Sequence, residues 1–584
     1  MKTLTPQTLQ KRTVAIIGVG PRGLAALEQL YSSQEQASTT TKIVAILFET
    51  SKYPGAGEIW SPDQVNTNLT NVHERLLCEY LKGRPEVNLG YLQIPSFPEY
   101  SKWLENNKSK EADIDADYFP PRAKLGRYLR ERFLSIQKAL EAQDLLNIYQ
   151  ETAVKIETTS ATIFIETKDN RYTADEVLLT IGHQPTQSSK QLDKWEEHAE
   201  KHEGLMLYKN PYPVDALKTD LITSKTTIGI RGFGLSMVDQ VRALTLGYDG
   251  KFADKTDLEF NYIPSGKEPA KIVVFSLDGL PPAPKPLNAE VDGWFELSSE
   301  DYEEFSKVLE KARDNPEDIQ DASFLIKGIA SATVSIFLRL GRRAYTHELN
   351  RSELYDIIEK LIKNPDFKHE LILSQELSPV DMMSAFLKMA VGKQKISLDY
   401  CLGQVWRFAL DVLYKEYYDL GLNDKAMTDV VKYIEASKRY SYGPPVESLK
   451  QLLALVAAEK LTFDFANDPD ITLCAEGWKL QQNGEERVAQ VMVNAVIDAP
   501  QLVKVKSDLI KNLLLDTKID PVDYSLGLHT KQDGKILKDT KVVDERICFM
   551  GRLTKGSIFG VDNLVECFGD PATKWANGAT KRLH

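Results

Sequence analysis

Two stretches of this chain share one plan: TVAIIGVGPRGLAALEQL at 13–30 and TTIGIRGFGLSMVDQVRAL at 226–244. Each reads as a short apolar strand, a glycine-rich turn and a helix. That plan fits few folds. VAII is β-branched, continuous and short, as parallel strands covered on both faces are. In the first turn Gly18, Gly20 and Gly23 stand in GxGxxG spacing. Gly18 permits the tight turn, Gly20 lets a pyrophosphate approach the backbone, and Gly23 allows close packing of helix on strand. The helix N-terminus then offers free N–H groups and a partial positive charge to the phosphates. A second strand, KIVAILFE, ends in Glu49, an acceptor for ribose hydroxyls. The interval from Gly18 exceeds the usual one of about 20 residues, because the polar loop SSQEQASTTTK intervenes.

The second turn keeps Gly232 and Gly234 but carries Met237 in place of the third glycine, with Ser236 before it. A methionine there would hold the helix further from the strand. The turn reads as a second nucleotide site or as a βα unit that packs without a ligand. AKIVVFSLDG would be its partner strand, and the Asp278 that follows would repel a 2′-phosphate. Lys267, Arg242 or Lys285 could still serve one, so NADPH and NADH both stay open. Two such sites on one chain suggest electron transfer, with FAD on the first turn and a reduced nicotinamide on the second.

The remaining composition narrows the classes. With 584 residues, two to four domains are expected. A net charge of −12 argues against nonspecific nucleic-acid binding. Cys78, Cys401, Cys474, Cys548 and Cys567 are scattered without CxxC, which suits a reducing compartment. The opening MKTLTPQTLQKR has no apolar core, and no run of about 18 apolar residues appears, so a cytoplasmic protein with no membrane span is expected. HExxH and clustered histidines are absent from the sequence, so no metal is expected.

These features, with several further segments, resemble the two-dinucleotide-binding-domain flavoproteins of the FAD/NAD(P)-binding protein family. That family is related in plan to the flavin-dependent N-hydroxylating monooxygenases. The resemblance rests on GPRGLAALEQL, with Pro21 and Arg22 beside the glycines. It also rests on GAGEIW (55–60) and NTNLTN (66–71), which resemble the segment around the flavin ring and bring in Trp60 and Asn71. FPPRAKLGRYLRERF (119–133) resembles a helix start in which Arg122 pairs with a phosphate or a substrate carboxylate; a solvated or salt-bridged arginine is the alternative. ADEVLLTIGHQP (174–185) resembles the strand that leaves the FAD domain, ending in Gly182. His183 after it either contacts a cofactor or is a loop histidine with its own hydrogen bond. YIPSGKEP (262–269) and SYGPPVESL (441–449) are similar too. FMGRLTKGSIFG (549–560) resembles the return to the flavin through Gly551, where a helix starting near Asp562 would point its N-terminus at the ring.

The expected fold is α/β: a Rossmann-like FAD-binding domain with an inserted NAD(P)-binding Rossmann-like domain and a large helical insertion. The expected division is 1–190 for the first part of the FAD-binding domain and 191–287 for the NAD(P)-binding domain. A helical region at 288–465 serves as cap or interface, and 466–584 returns to complete the FAD domain. Helical periods recur in YEEFSKVLEKAR, ELYDIIEKLI, PVDMMSAFLKMAV, LGQVWRFALDVLYKEYYDLG and ESLKQLLALVAAEK. The aromatics Trp406, Phe408, Tyr414, Tyr417 and Tyr418 read as core and interface packing. RVAQVMVNAVIDAP reads as one strand ending near Asp498, and Asp533-Gly534 as a hairpin turn.

Function follows as three alternatives. The first is an FAD-dependent oxidoreductase reduced by NAD(P)H, a monooxygenase that oxidises a small amine or amino acid with molecular oxygen through a flavin hydroperoxide. Such chemistry needs no catalytic cysteine, and the sequence does not single out a catalytic residue. The second is a reductase or dehydrogenase without oxygenation. The third is a non-enzymatic role, a flavin-binding scaffold or redox sensor whose helical region docks a partner; under any of the three, the helical region could also join copies of the chain as a homo-oligomer.

Overall fold

The computed structural model describes residues 10–37, 41–107, 116–417, 420–516 and 518–584. The opening residues 1–9, on which the expectation of no leader partly rests, and Tyr418 lie outside them. Two five-stranded parallel sheets organise the chain. Their strands, in chain order, are β1 (Lys11–Ile17), β2 (Lys42–Phe48), β3 (Leu146–Tyr149), β4 (Glu176–Leu179), β5 (Met206–Tyr208), β6 (Thr227–Arg231), β7 (Lys271–Phe275), β8 (Leu461–Thr462), β9 (Val491–Asn494) and β10 (Ile547–Phe549). The first sheet runs β10-β4-β1-β2-β3 and the second β5-β9-β6-β7-β8. In each sheet the strand before a glycine turn lies between neighbours added on opposite sides. Both turns therefore sit at a topological switch point, where open α/β sheets bind ligands.

The apolar runs explain the pairing. Along β1, Val14 and Ile16 enter one core and Ala15 and Ile17 another, so both faces are covered. The second sheet is divided in the same way, with Ile272 and Val274 on one face and Val273 and Phe275 on the other. The helices set on this frame include α1 (Pro21–Gln36), α2 (Glu74–Tyr80), α3 (Arg122–Glu141) and α4 (Leu235–Thr245).

The helical region follows: α5 (Ala289–Gly293), α6 (Ser299–Asp314), α7 (Ser323–Leu340), α8 (Arg351–Lys363), α9 (Pro379–Ala390), α10 (Leu398–Glu416), α11 (Asp424–Ser441) and α12 (Val446–Ala457). Sequence periodicity overlooked α7 because it is apolar nearly all round. The span Ser323–Arg343 is long and apolar enough to cross a membrane, but 61% of its apolar window is buried inside the protein. It packs against α6, α8 and α10 as a core helix. Trp406 and Tyr417 are buried, as core packing requires.

Not all strands after residue 465 belong to the first sheet. RVAQVMVNAVIDAP is two strands rather than one. Glu485–Ala489 joins a three-stranded antiparallel sheet, and Val491–Asn494 enters the second parallel sheet between β5 and β6. A buried parallel strand must pair on both edges, and β6 has a free edge only on that side. The return to the first sheet comes beyond, through β10 and the helices α13 (Leu564–Cys567) and α14 (Asp570–Leu583). The helix expected near Asp562 is a single turn, and the long one starts at Asp570 behind Gly569, with Pro571 in its first turn. The strand leading to Gly182 ends earlier, at Leu179. Around Asp533-Gly534, Thr530 and Ile536 pair antiparallel, as a hairpin turn predicts.

Helix α14 packs along α1 and is tied to β4 by Arg582, which donates to the fully buried Glu176 at 3.0 Å. On the other side of α1, Glu28 holds two buried guanidiniums, Arg84 at 3.0 Å and Arg132 at 2.7 Å. Removing one member of a buried ion cluster costs about 3–5 kcal/mol, because the remaining charges lose their partner. Glu28→Ala should therefore lower the melting temperature sharply. A change no larger than that of a surface substitution would show that the two arginines find other acceptors.

Candidate functional site

The first glycine turn is built as its spacing predicts. Gly18 has φ +86°, and its N–H donates to the Phe48 carbonyl at 2.8 Å. A Cβ on Gly23 would come within 2.5 Å of the Gly18 carbonyl oxygen, so helix and strand are in contact there. A Cβ on Gly20 would meet nothing within 4 Å. That open side faces a groove of about 330 Å³ at the C-terminal end of the sheet, within the usual range of about 300–1,000 Å³ for ligand clefts. The segment GAGEIW is fastened to the turn by the Gly55 N–H, which donates to the Val19 carbonyl at 2.6 Å.

The groove gathers Gly18, Gly20, Pro21, Arg22, Glu49 and Trp60 with Gly182, His183 and Asp562. Pro21 occupies the first turn of α1, where its missing N–H costs nothing. Glu49 is buried and accepts from the Val19 and Ser51 N–H groups, so the carboxylate is locked at the groove floor. Arg22 pairs with Glu566. His183 is exposed at the groove mouth, yet the surrounding walls and then Arg552 push it down to about 4, so the ring is neutral near neutral pH. Burial would raise the Asp562 carboxyl, but Arg552, Lys438 and Lys555 together hold it well below the usual range.

Other expected residues are placed differently. Gly551 does not line the groove; a Cβ there would lie 2.9 Å from Nη1 of Arg22, so this glycine makes room for that side chain. Arg122 is committed to Asp239 at 2.5 Å and to the Leu69 carbonyl at 3.1 Å, which leaves it as a tie between α3 and α4 rather than a phosphate ligand. Asn71 lies outside the groove, and its carbonyl accepts from Lys285. Lys285 and Arg242, candidates for a 2′-phosphate, are both buried in internal contacts, Arg242 donating to the Thr67 carbonyl at 2.8 Å. Lys267 pairs with Asp249 on the surface.

The second turn repeats the backbone of the first. Gly232 has φ +119°, and its N–H donates to the Phe275 carbonyl at 2.8 Å, as Gly18 does to Phe48. Gly234 is open on the side where a Cβ would project. Ser236 and Met237 are buried in the first turn of α4, Met237 completely. Asp278 is exposed beyond the end of β7 and accepts from Ser276 Oγ at 3.0 Å.

A chamber of about 150 Å³ adjoins the groove and shares Trp60, Asp562, Asn563 and Leu564 with it. Its far walls come from the strap 284–288 and from α10, with Lys285, Arg407, Asp411 and Tyr414. Sequence reading took Tyr414 for packing and passed over Arg407 and Asp411. The available signal was spacing: 407, 411 and 414 share one face of a helix that is otherwise apolar there. Asp292 accepts from Arg75 at 2.6 Å and also from Arg407. Burial, then Arg407 and Arg75, pull Lys285 down to about 7, against Asp292. His73 is fully buried behind this cluster, and Nε2 donates to the Pro286 carbonyl at 3.3 Å. Burial first, then Arg75, Lys285 and Arg407, push His73 down to about 2.

Two outcomes follow from this geometry. Gly20→Val sets its Cβ in open space at an ordinary φ and projects methyl groups into the open side of the turn. The variant should fold and lose the visible absorbance of a bound flavin; retained colour would remove the first turn as the phosphate cradle. For His73, the unfolded chain takes up a proton near the ordinary 6.5 while the folded chain does not until about 2. Stability is thus lost as pH falls below about 6.5, by about 1.4 kcal/mol per pH unit. Melting temperatures compared at about pH 7 and about pH 5 should fall further for wild type than for His73→Gln; equal falls would exclude His73 as the source.

Residues 15–184 match the FAD-NAD(P)-binding family model. The chain is 27% identical over 280 residues to nitrosuccinic acid synthase npaA of Aspergillus oryzae, covering 47% of this chain and 42% of that one. It is 26% identical over 294 residues to an L-aspartate N-monooxygenase (nitrosuccinate-forming) of Streptomyces cremeus, covering 47% and 43%. The chain thus spans less than half the length of these curated relatives. Among solved structures, the reduced form of ornithine hydroxylase (PvdA) from Pseudomonas aeruginosa aligns over 98% of this chain and 100% of that one, with a TM-score of 0.50 at 11% identity. That likeness concerns the fold. Residues 15–184 are an FAD-NAD(P)-binding domain, set in a chain with the overall fold of that hydroxylase.

Proposed function

We propose that this protein is an FAD-dependent oxidoreductase reduced by NADPH or NADH, a monooxygenase acting on the nitrogen of a small amine or amino acid. The observation that carries the reading is the open groove at the first glycine turn, continuous with a charged chamber. Bound FAD supplies hydride acceptance from the nicotinamide and activation of molecular oxygen. The chain's own part is positioning. Gly18 and Gly20 bring backbone to the diphosphate, and the N-terminus of α1 turns its partial positive charge toward it. Glu49, fixed by two backbone donors, has lone pairs left for a ribose. Trp60 and Leu564 stand between groove and chamber as apolar walls against bulk water. The open side of Gly234 is the proposed landing place of the nicotinamide dinucleotide.

The relatives named for nitrosuccinate formation and aspartate N-oxygenation support a nitrogen-oxidising reading over simple reduction. The proposal has no role for nucleic acid or a membrane. The five cysteines are all free, in keeping with a cytoplasmic setting. A homo-oligomer formed through the helical region belongs to the proposal and is read from the mass in solution.

The test is anaerobic addition of NADPH and, separately, NADH to the yellow protein. One of them should bleach the flavin, and Gly234→Val should keep the colour and lose the bleaching. Admission of oxygen with an amine substrate should then give a product that carries one oxygen atom from O₂. A yellow protein that neither donor bleaches would overturn the oxidoreductase reading. Oxygen recovered wholly as hydrogen peroxide with every amine offered would overturn the monooxygenase.

A further inference from the structure

The chamber beside the groove is polar in an ordered way. Among the described residues, Lys285 donates its Nζ to the Asn71 carbonyl and has no carboxylate at salt-bridge distance, although the side chain is 6% exposed. Arg75 and Arg407 converge on the same end but share Asp292. This end therefore holds three cations around one shared carboxylate, with Asp117 on the outer side of Arg75. A buried ammonium without a counter-ion favours a site that an anion completes.

Asp411 gives the opposite sign nearer the groove. Its Oδ2 accepts from Tyr80 at 3.0 Å, and its Oδ1 receives no donor among the described residues. Arg407, Asp411 and Tyr414 follow one another along one face of α10. At a rise of about 1.5 Å per residue, Asp411 lies about 6 Å beyond Arg407 and Tyr414 about 4.5 Å further. The Tyr414 hydroxyl accepts from Asn563 at 2.6 Å, and Asn563 belongs to both chamber and groove. The sequence of charges from the closed end to the opening is thus positive, negative, groove.

We infer that the chamber binds an amino acid as its zwitterion, the carboxylate at Lys285 and Arg407 and the amine at Asp411, on the side that opens into the groove. The inference rests on the proposed function for the direction in which the amine must point. The volume of about 150 Å³ is that of an engineered cavity that takes up benzene, so the ligand is a small amino acid. Leu76, Leu77 and Phe408 leave the rest of its surface in apolar contact. Burial, Arg407 and Arg75 pull Lys285 down to about 7 against Asp292, and a carboxylate beside it favours its charged form.

The test is calorimetric titration of the FAD-loaded protein. The ligands are L-alanine, L-aspartate and L-glutamate, and the same chains without the amine: propionate, succinate and glutarate. At least one amino acid should bind, more tightly than its deaminated partner. Lys285→Met should weaken both by at least about tenfold, whereas Asp411→Asn should weaken the amino acid by about tenfold and spare the deaminated partner. A purely structural role for Asp411 would weaken both equally and would overturn the orientation. Wild-type affinity in Lys285→Met, or no binding by any of the six, would overturn the site. Flavin colour and melting temperature report folding of each variant, and the nearly isosteric Asp411→Asn carries the test if Lys285→Met does not fold. Loss of nicotinamide-driven bleaching with binding intact would count against the proposed function and leave the chamber assignment standing.

Discussion

The carboxylate of Asp292 joins the three parts of the molecule that meet at the chamber. It sits on α5 at the entry to the helical region and accepts from Arg75 on α2 of the first unit and from Arg407 on α10. Desolvating these charges costs much of what their attraction returns, so the cluster contributes orientation more than stability. The strap beside it is pegged along its length. Tyr400 donates to the Pro284 carbonyl at 2.9 Å, the Lys285 N–H to Pro444 at 3.1 Å and the Leu287 N–H to Ala390 at 2.9 Å. A Cβ on Gly443 would come within 1.8 Å of the Ala283 carbonyl oxygen, so no side chain could stand between strap and helix. Position and charge of Lys285 follow from these contacts.

A second set of ties runs through residues 67–71. Their backbone carbonyls receive Arg242 at Thr67, Arg122 at Leu69 and Lys285 at Asn71. Each cation comes from a different part of the fold: α4, α3 and the strap. Backbone carbonyls are neutral acceptors, so cations bound to them keep their net charge. The segment thereby draws the two sheet units together, with Arg122 also paired to Asp239.

Much of the architecture was legible in the sequence because the controlling signals are local. Gly18, Gly20 and Glu49 were singled out from their spacing at strand ends, and the groove is lined by all three, with Gly23 packed behind it. What the sequence left open has one physical form. Arg122 could have met an anionic ligand or a salt bridge and Arg242 could have served a 2′-phosphate, but their partners, Asp239 and Thr67, are far away in the chain, as is the Arg22 that Gly551 makes room for. The strand at 491–494 was assigned to the wrong sheet for the same reason: an apolar run records that a strand is buried and not which edge it joins. Arg407 and Asp411 drew no notice in the sequence, because the strap residue Lys285 that shares their chamber is more than a hundred residues away.

Both sheets are completed by late segments of the chain. Strand β4 waits for β10, and β6 waits for β9, each across several hundred residues of intervening sequence. At about 5–20 residues per second of synthesis, β4 spends tens of seconds with an apolar edge unpaired before β10 exists. During that interval the nascent first unit is an open sheet with a template edge, the kind of edge that invites intermolecular pairing. The helical region shares one apolar core with the second sheet, so it too is completed only when β9 has joined that sheet. Assembly of this protein is therefore a problem of timing on the ribosome, and its yield in a cell should depend on what shields that edge until β10 emerges.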